Sequence, residues 1–170
     1  MQSPTPQVTD DQFTGMIALH KGLIYKVANA YCHDAEDRKD LVQETLIQLW
    51  RAFPGYDPGY KVSTWMYRIA LNVAISFYRK DHRRKSVAAP LPESIIELED
   101  PHPPADHAAL QLLQQFINAL PELDRALMLL YLEEKPQAEI AEILGLSLTN
   151  VATKIGRIKQ KLKQQFSQVK

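Results

Sequence analysis

An all-α fold is predicted, arranged as two small helical domains joined by a Pro-rich acidic linker, with a helix-turn-helix at the C-terminal end. Three observations predict it. Apolar residues recur every three or four positions along nearly the whole chain, and no alternating apolar run with hairpin punctuation interrupts them. A stretch with five prolines and many acids, "SVAAPLPESIIELEDPHPP" at 86–104, separates the periodic segments and reads as an extended linker. Beyond it, "QAEIAEILGLSLTNVATKIGRIKQKLKQQF" places a short helix, a glycine, a serine and a basic helix in succession. The boundaries predicted are 1–85 for the first domain, 86–105 for the linker and 106–170 for the second domain.

In the first domain, residues 10–32 are expected to be helical with Phe13, Ile17, Ile24, Val27 and Tyr31 inward. Asp34 suits the N-cap of a second helix, with Asp37 at its third position and Val42, Leu46, Leu49 and Phe53 inward. "PGYDPGY" from Pro54 ends that helix, because two Pro-Gly type breaks within seven residues cannot remain helical. Ser63 is expected to cap a third helix, whose apolar stripe is Val62, Met66, Ile69, Val73 and Phe77.

In the second domain, Asp106 is expected to cap a helix through Ala119, and Pro121 to sit in the first turn of a segment to Glu134. Residues 137–144 form the short helix of the turn motif, with Ile140, Ala141 and Leu144 inward. Gly145 fits the left-handed residue that ends it, and Ser147 caps the next helix. There Leu148, Val151, Ile155, Ile158 and Leu162 make an apolar stripe.

With 170 residues, 45% of them hydrophobic and 24% charged, the chain can bury a core. A single cysteine, Cys32, allows no internal disulfide and suggests a reducing compartment. The N-terminal stretch lacks the order of a signal peptide, and no apolar run approaches the roughly 20 residues of a membrane span. A cytoplasmic protein without membrane insertion is expected.

The formal net charge of zero conceals segregation along the chain. Lys61, Arg68, Arg79, Lys80, Arg83, Arg84 and Lys85 face only Asp81, and every charge from Lys154 onward is basic. Between Ser86 and Asp124 all charges are acidic. Two nucleic-acid surfaces, separated by a segment that avoids or imitates nucleic acid, explain such blocks. On the C-terminal helix, Thr149, Asn150, Thr153, Lys154, Arg157 and Lys161 face away from the apolar stripe, a set able to read base edges and hold phosphates in a major groove. On the third helix, Lys61, Trp65, Arg68, Asn72, Ser76, Arg79 and Arg83 form a second stripe with cations for phosphates, an amide for a base edge and a ring for an unstacked base.

These features resemble the bacterial RNA polymerase sigma factors of the sigma-70 family, in particular the extracytoplasmic-function (ECF) class that keeps only regions 2 and 4. The resemblance is carried by "DLVQETLIQLWRAF", "GYDPGYKVSTWMYRIALNVA" and "LPELDRALMLLYLEEKPQAEIAEILGLSLTNVATKIGRIKQKL", and it spans nearly the whole chain. It implies a protein that binds core RNA polymerase and directs promoter-specific initiation, with 1–85 as region 2 and 106–170 as region 4. It implies that Asp40, Gln43 and Glu44 contact the polymerase, and that Tyr56, Tyr60 and Lys61 capture a base flipped from the minus-ten element. By the same resemblance, Asn72, Ser76 and Arg79 read the adjoining duplex, while Thr149, Thr153, Lys154 and Arg157 meet the minus-thirty-five element. The acids from Glu93 to Asp100 would mimic nucleic-acid charge inside the polymerase, and an anti-sigma protein is an expected partner. Val62 and Arg68 replace aromatics usual in housekeeping members, which implies weaker unaided melting.

The competing reading is a one-component transcription regulator with a sensing N-terminal domain, which leaves the aromatic, basic third helix unexplained. No enzyme is indicated, since the chain has no phosphate loop or nucleophile motif. No cofactor or metal site is expected either: Cys32 and His33 are adjacent, and neighbouring helical residues point about 100° apart.

Overall fold

The computed structural model describes residues 10–87 and 105–168. Among them are seven α-helices and no strand: α1 (Asp10–Tyr31), α2 (Ala35–Ala52), α3 (Val62–Val87), α4 (Ala105–Ala119), α5 (Glu122–Leu132), α6 (Gln137–Leu144) and α7 (Leu148–Ser167). A 3-10 turn, Phe53–Gly55, follows α2. The linker residues 88–104, including Glu93 to Asp100, lie outside the described residues.

Helices α1, α2 and α3 pack on one another, with Ile24, Leu49 and Met66 as a small apolar centre. Asp10 and Asp11 favour the positive end of α1, as Glu36 and Asp37 favour that of α2. The buried row of α2 is Leu41, Thr45 and Leu49, with Val42 and Leu46 only half-buried beside it. Thr45 can sit there because its hydroxyl donates to the Leu41 carbonyl at 2.8 Å, which pairs it inside the core.

Several helix ends differ from expectation. Asp34 has the extended backbone of an N-cap, yet its side chain makes no capping bond. Helix α3 opens at Val62, the Trp65 N–H donating to the Lys61 carbonyl at 3.2 Å, which puts Ser63 inside the first turn rather than before it. Asp106 likewise lies inside the first turn of α4, which begins at Ala105. Pro121 is the residue before α5, not within it.

The two helical domains share one core. Tyr31, Leu41, Tyr67, Ala70, Leu71 and Ala74 of the first half join Phe116, Leu120, Leu127, Leu130, Ile140, Val151, Ile155 and Ile158 of the second. Helix α3 makes this possible through a second apolar row. Met66 faces α1 and α2, while Tyr67, Ala70, Leu71 and Ala74 are covered as α5 and α6 approach. The alanines let a neighbouring helix come close, and each fully buried leucine contributes about 1.5–3 kcal/mol relative to exposure.

Helix α5 closes with the Lys135 N–H on the Leu130 carbonyl and the Glu134 N–H on that of Tyr131. That Schellman pattern needs a left-handed residue, and Glu134 supplies it at φ 58°. Helix α6 ends at Gly145, φ 67°, and the Ser147 hydroxyl accepts from the Asn150 N–H at 3.1 Å, so both halves of the expected turn signal are present. On α6 Ile140 and Ile143 are fully buried, while the expected Ala141 and Leu144 are half-buried against the same core. Leu148 departs from the predicted stripe: it is 54% exposed, because it stands in the first turn of α7 before that helix reaches the core at Val151.

Candidate nucleic-acid interface

The turn motif presents the residues expected of it. Thr149, Asn150, Thr153, Arg157 and Lys161 are all exposed on α7, while Val151, Ile155 and Ile158 anchor the opposite side. Lys154 is half-buried and its ammonium lies 3.6 Å from Asp124, so this cation is partly committed to α5. Helix α7 therefore offers a polar, cationic row on a rigid support, the arrangement a major groove requires.

At the other end, the segment between α2 and α3 is tied down. The Asp57 carboxylate accepts from the Gly59 N–H at 2.9 Å, and the Tyr60 N–H donates to the Asp57 carbonyl at 3.0 Å. The Tyr56 hydroxyl donates to the Tyr60 carbonyl at 2.7 Å. The Tyr56 ring sits 4.8 Å from Trp65 and is stacked beside Phe53, which packs on Phe13; Phe13 also meets Trp50 edge-on at 5.0 Å. Tyr56 and Trp65 are thus packing partners, both half-buried, whereas Tyr60 is 58% exposed and free at its ring. Of the aromatics proposed to take a base, the structure leaves Tyr60 open and uses the other two to hold the loop.

The basic stripe of α3 is not uniform. Arg68, Asn72 and Ser76 are exposed. Arg79 donates through Nε to Glu122 Oε1 at 2.7 Å, and Lys61 lies 3.9 Å from Glu139, which also accepts from the Thr64 hydroxyl at 2.7 Å. The Arg79 hydrogen bond, with a backbone N–H at the start of α5, holds the Glu122 carboxyl below the usual carboxylate range. The Arg83 side chain lies outside the described residues.

Asp40, Gln43 and Glu44 are exposed on α2 and line an open groove of about 1050 Å³ between α2 and α3. Its opposite wall carries Asn72 and Ser76, and its floor includes Ile69, Val73 and Phe77. Residues expected to meet protein and residues expected to meet DNA therefore share one groove.

Arg125 was missed from the sequence alone. It is 2% exposed on α5 and has no carboxylate partner among the described residues. Its guanidinium donates to the carbonyls of Ala30 (3.1 Å), Asn118 (2.5 Å) and Leu120 (3.3 Å), at the C-terminal ends of α1 and α4, where the helix dipoles are negative. It also lies over the rings of Tyr31 and Tyr78, at 5.2 and 4.8 Å. Tyr31 donates to the Glu122 carbonyl at 2.6 Å, and burial pushes its hydroxyl pKa up. In the sequence Arg125 is one charge beside an apolar run, and only partners from other helices mark it as buried.

The sigma-70 region 2 family matches residues 16–84, and sigma-70 region 4 matches residues 110–162. The chain belongs to the sigma-70 family. Among its relatives are ECF sigma factors: SigE of Mycolicibacterium smegmatis, 30% identical over 152 residues, and SigW of Bacillus subtilis, 29% identical over 167. The SigE match takes in 87% of this chain and 59% of SigE, and the SigW match 92% and 89%. Two solved structures share the fold. CnrH in complex with the cytosolic domain of CnrY gives a TM-score of 0.68 at 22% identity, covering 96% of this chain and 92% of that one. The sigma factor RpoE in complex with the anti-sigma factor NepR from Bartonella quintana gives 0.72 at 19%, covering 92% and 98%. This sigma factor is of the ECF class, whose members direct promoter-specific transcription initiation. The region 2 match gives the first half a role that a sensing domain did not explain. Among the described residues no helix is long and apolar enough to cross a membrane, and no group of His, Cys, Asp and Glu is placed to hold a metal ion.

Proposed function

We propose that this sigma factor recruits core RNA polymerase through Asp40, Gln43 and Glu44 and reads the minus-thirty-five element with Thr149, Asn150, Thr153, Lys154, Arg157 and Lys161. Tyr60, Lys61, Arg68, Asn72, Ser76, Arg79 and Arg83 meet the minus-ten element, with Tyr56 and Trp65 positioning the loop. The 1–85 segment acts as region 2 and 106–170 as region 4. The observation that carries the reading is the exposed polar row of α7, set behind a left-handed Gly145 and a capped Ser147.

Energetics explain the need for a large partner. Opening one turn of duplex costs roughly 1.4 kcal/mol per base step, on the order of 14 kcal/mol in all. A base captured on a side chain returns only about 1–3 kcal/mol. Tyr60 can trap a first flipped base, but the polymerase must hold the rest of the bubble. The protein acts in the cytoplasm as an initiation factor, not an enzyme. The likeness of its fold to sigma factors solved with CnrY and NepR supports an anti-sigma partner for this chain also. A pull-down from unstressed cells should return such a protein, and recovery of polymerase alone would argue against it.

Run-off transcription with purified core enzyme tests the main reading. Specific transcripts should require this chain, and Arg157→Ala or Thr153→Ala should weaken use of the upstream element by about 1–3 kcal/mol per lost base contact. Core enzyme that makes the same transcripts without this chain, or ignores it, would refute the reading.

A further inference from the structure

We infer that Gly156 sets how closely α7 approaches the upstream promoter element: its bare backbone admits DNA that a side chain would hold away, and the short reading side chains depend on that approach. The inference deepens the proposed role of α7 and rests on it. A glycine inside a helix is kept where the backbone must turn left-handed, where another part of the chain packs against it, or where a ligand comes close. The structure removes the first two reasons. Gly156 lies in the interior of α7 without a positive φ, and a Cβ built on it meets nothing within 4 Å. The remaining reason lies outside the chain. Ala152 and Thr153 one turn before it, Gln160 one turn after and Arg157 beside it are all exposed, away from the core row of Val151, Ile155 and Ile158. Gly156 therefore sits within the surface proposed to face the major groove.

The chemistry of that surface makes close approach necessary. Thr149, Asn150 and Thr153 carry their polar atoms near the backbone, so they reach base edges only from a helix seated deep in the groove. No long cation replaces them in the first turns: Lys154 is drawn to Asp124 at 3.6 Å, and the first exposed cation along α7 is Arg157. Leu148, 54% exposed in the first turn, is an apolar group that gains only when the helix comes near enough for it to cover a thymine methyl. Arg157 and Lys161 differ, since long side chains still find phosphates when the helix is lifted. A side chain at 156 thus removes sequence discrimination while sparing general affinity for DNA.

The test measures discrimination. Holoenzyme assembled from core polymerase and the full chain is bound to the promoter fragment of the run-off assay, and to the same fragment with its upstream element scrambled, over a range of salt. Gly156→Ala should lower the ratio of the two affinities by roughly 5- to 150-fold, the loss of one base contact, and Gly156→Gln should lower it further. The salt dependence should not change, because the phosphate contacts persist. Gly156→Ala should also melt no lower than the original chain, so its loss of discrimination does not come from unfolding. Gly22→Ala is the control: Gly22 is equally bare and exposed inside α1, a helix with no proposed DNA contact, and the ratio should stay as it was. An undiminished ratio in both position-156 variants would overturn the inference and leave the sigma reading intact, and so would an equal loss in Gly22→Ala. An unsubstituted holoenzyme that fails to distinguish the two fragments would refute the proposed role of α7 and the inference with it.

Discussion

Gly156 offers a sharp test of how α7 is supported. It lies in the interior of a 20-residue helix, where glycine is worth about 0.8–1.0 kcal/mol less than alanine. A glycine there would be justified by a neighbour too close for a side chain, but a Cβ built at 156 meets no atom within 4 Å, and its φ is not positive. Gly156→Ala therefore carries no steric cost in the free protein and should stabilise it by about 0.5–1 kcal/mol. For a chain of this size that raises Tm by about 1–4 °C. Because Val151, Ile155 and Ile158 of the same helix belong to the main core, melting followed by far-UV circular dichroism reports the gain. Gly145→Ala is the internal control. A Cβ at 145 also meets nothing within 4 Å, but its φ of +67° makes the left-handed backbone cost about 1–2 kcal/mol for alanine, so stability should fall. If Gly156→Ala leaves Tm unchanged or lowers it, or if Gly145→Ala raises it, the reasoning from space and backbone angle is wrong.

Glu134, exposed and left-handed at φ 58°, should be improved by glycine: Glu134→Gly is expected to add about 1 kcal/mol in urea denaturation. Ser147→Ala removes the cap on Asn150 N–H and should cost about 1 kcal/mol, while Ser147→Asp should retain most of it. The Arg79–Glu122 pair depresses a carboxyl pKa, so its contribution is present above the ordinary Glu range and lost as pH falls through the lowered folded value. Fluorescence energy transfer between dyes on the two halves should fall on that acid side, and more readily in high salt, since the Arg79 side chain is 58% exposed. Tyr67 has the opposite sign. Burial raises its pKa from 10.0 to about 12, so the stability it contributes persists below pH 10 and is lost as pH climbs toward 12, measurable by tyrosine absorbance alongside circular dichroism.

Helix identity, the order of the two domains and the turn motif were legible because their signals are local. Apolar spacing of three and four, a glycine before a polar cap, and segregated charge all lie within one or two turns of chain. The α7 row emerged nearly intact for that reason, since every residue in it is placed by the helix that carries it. The α3 stripe fared differently. Its spacing showed that Lys61, Trp65, Arg68 and Arg79 share a side, but not that Trp65 would be consumed by Tyr56 and Phe53, nor that Arg79 would find a carboxylate 43 positions away. Ser63 misled because a serine near a helix start looks the same whether it caps the helix or sits inside its first turn.

By itself, then, the sequence determined which segments are helical, which faces of α6 and α7 pair, and which class of polymer the protein meets. Only the tertiary structure decided that α3 carries two buried faces instead of one, that Arg125 is a cation held by carbonyls and rings, and that Lys61 and Arg79 are shielded by acids of the other half. The physical reason is range. A helix's own periodicity fixes which side is apolar, but the value of a charge depends on what dielectric and what partner lie across from it, and those come from residues 43 to 95 positions distant that only folding brings near.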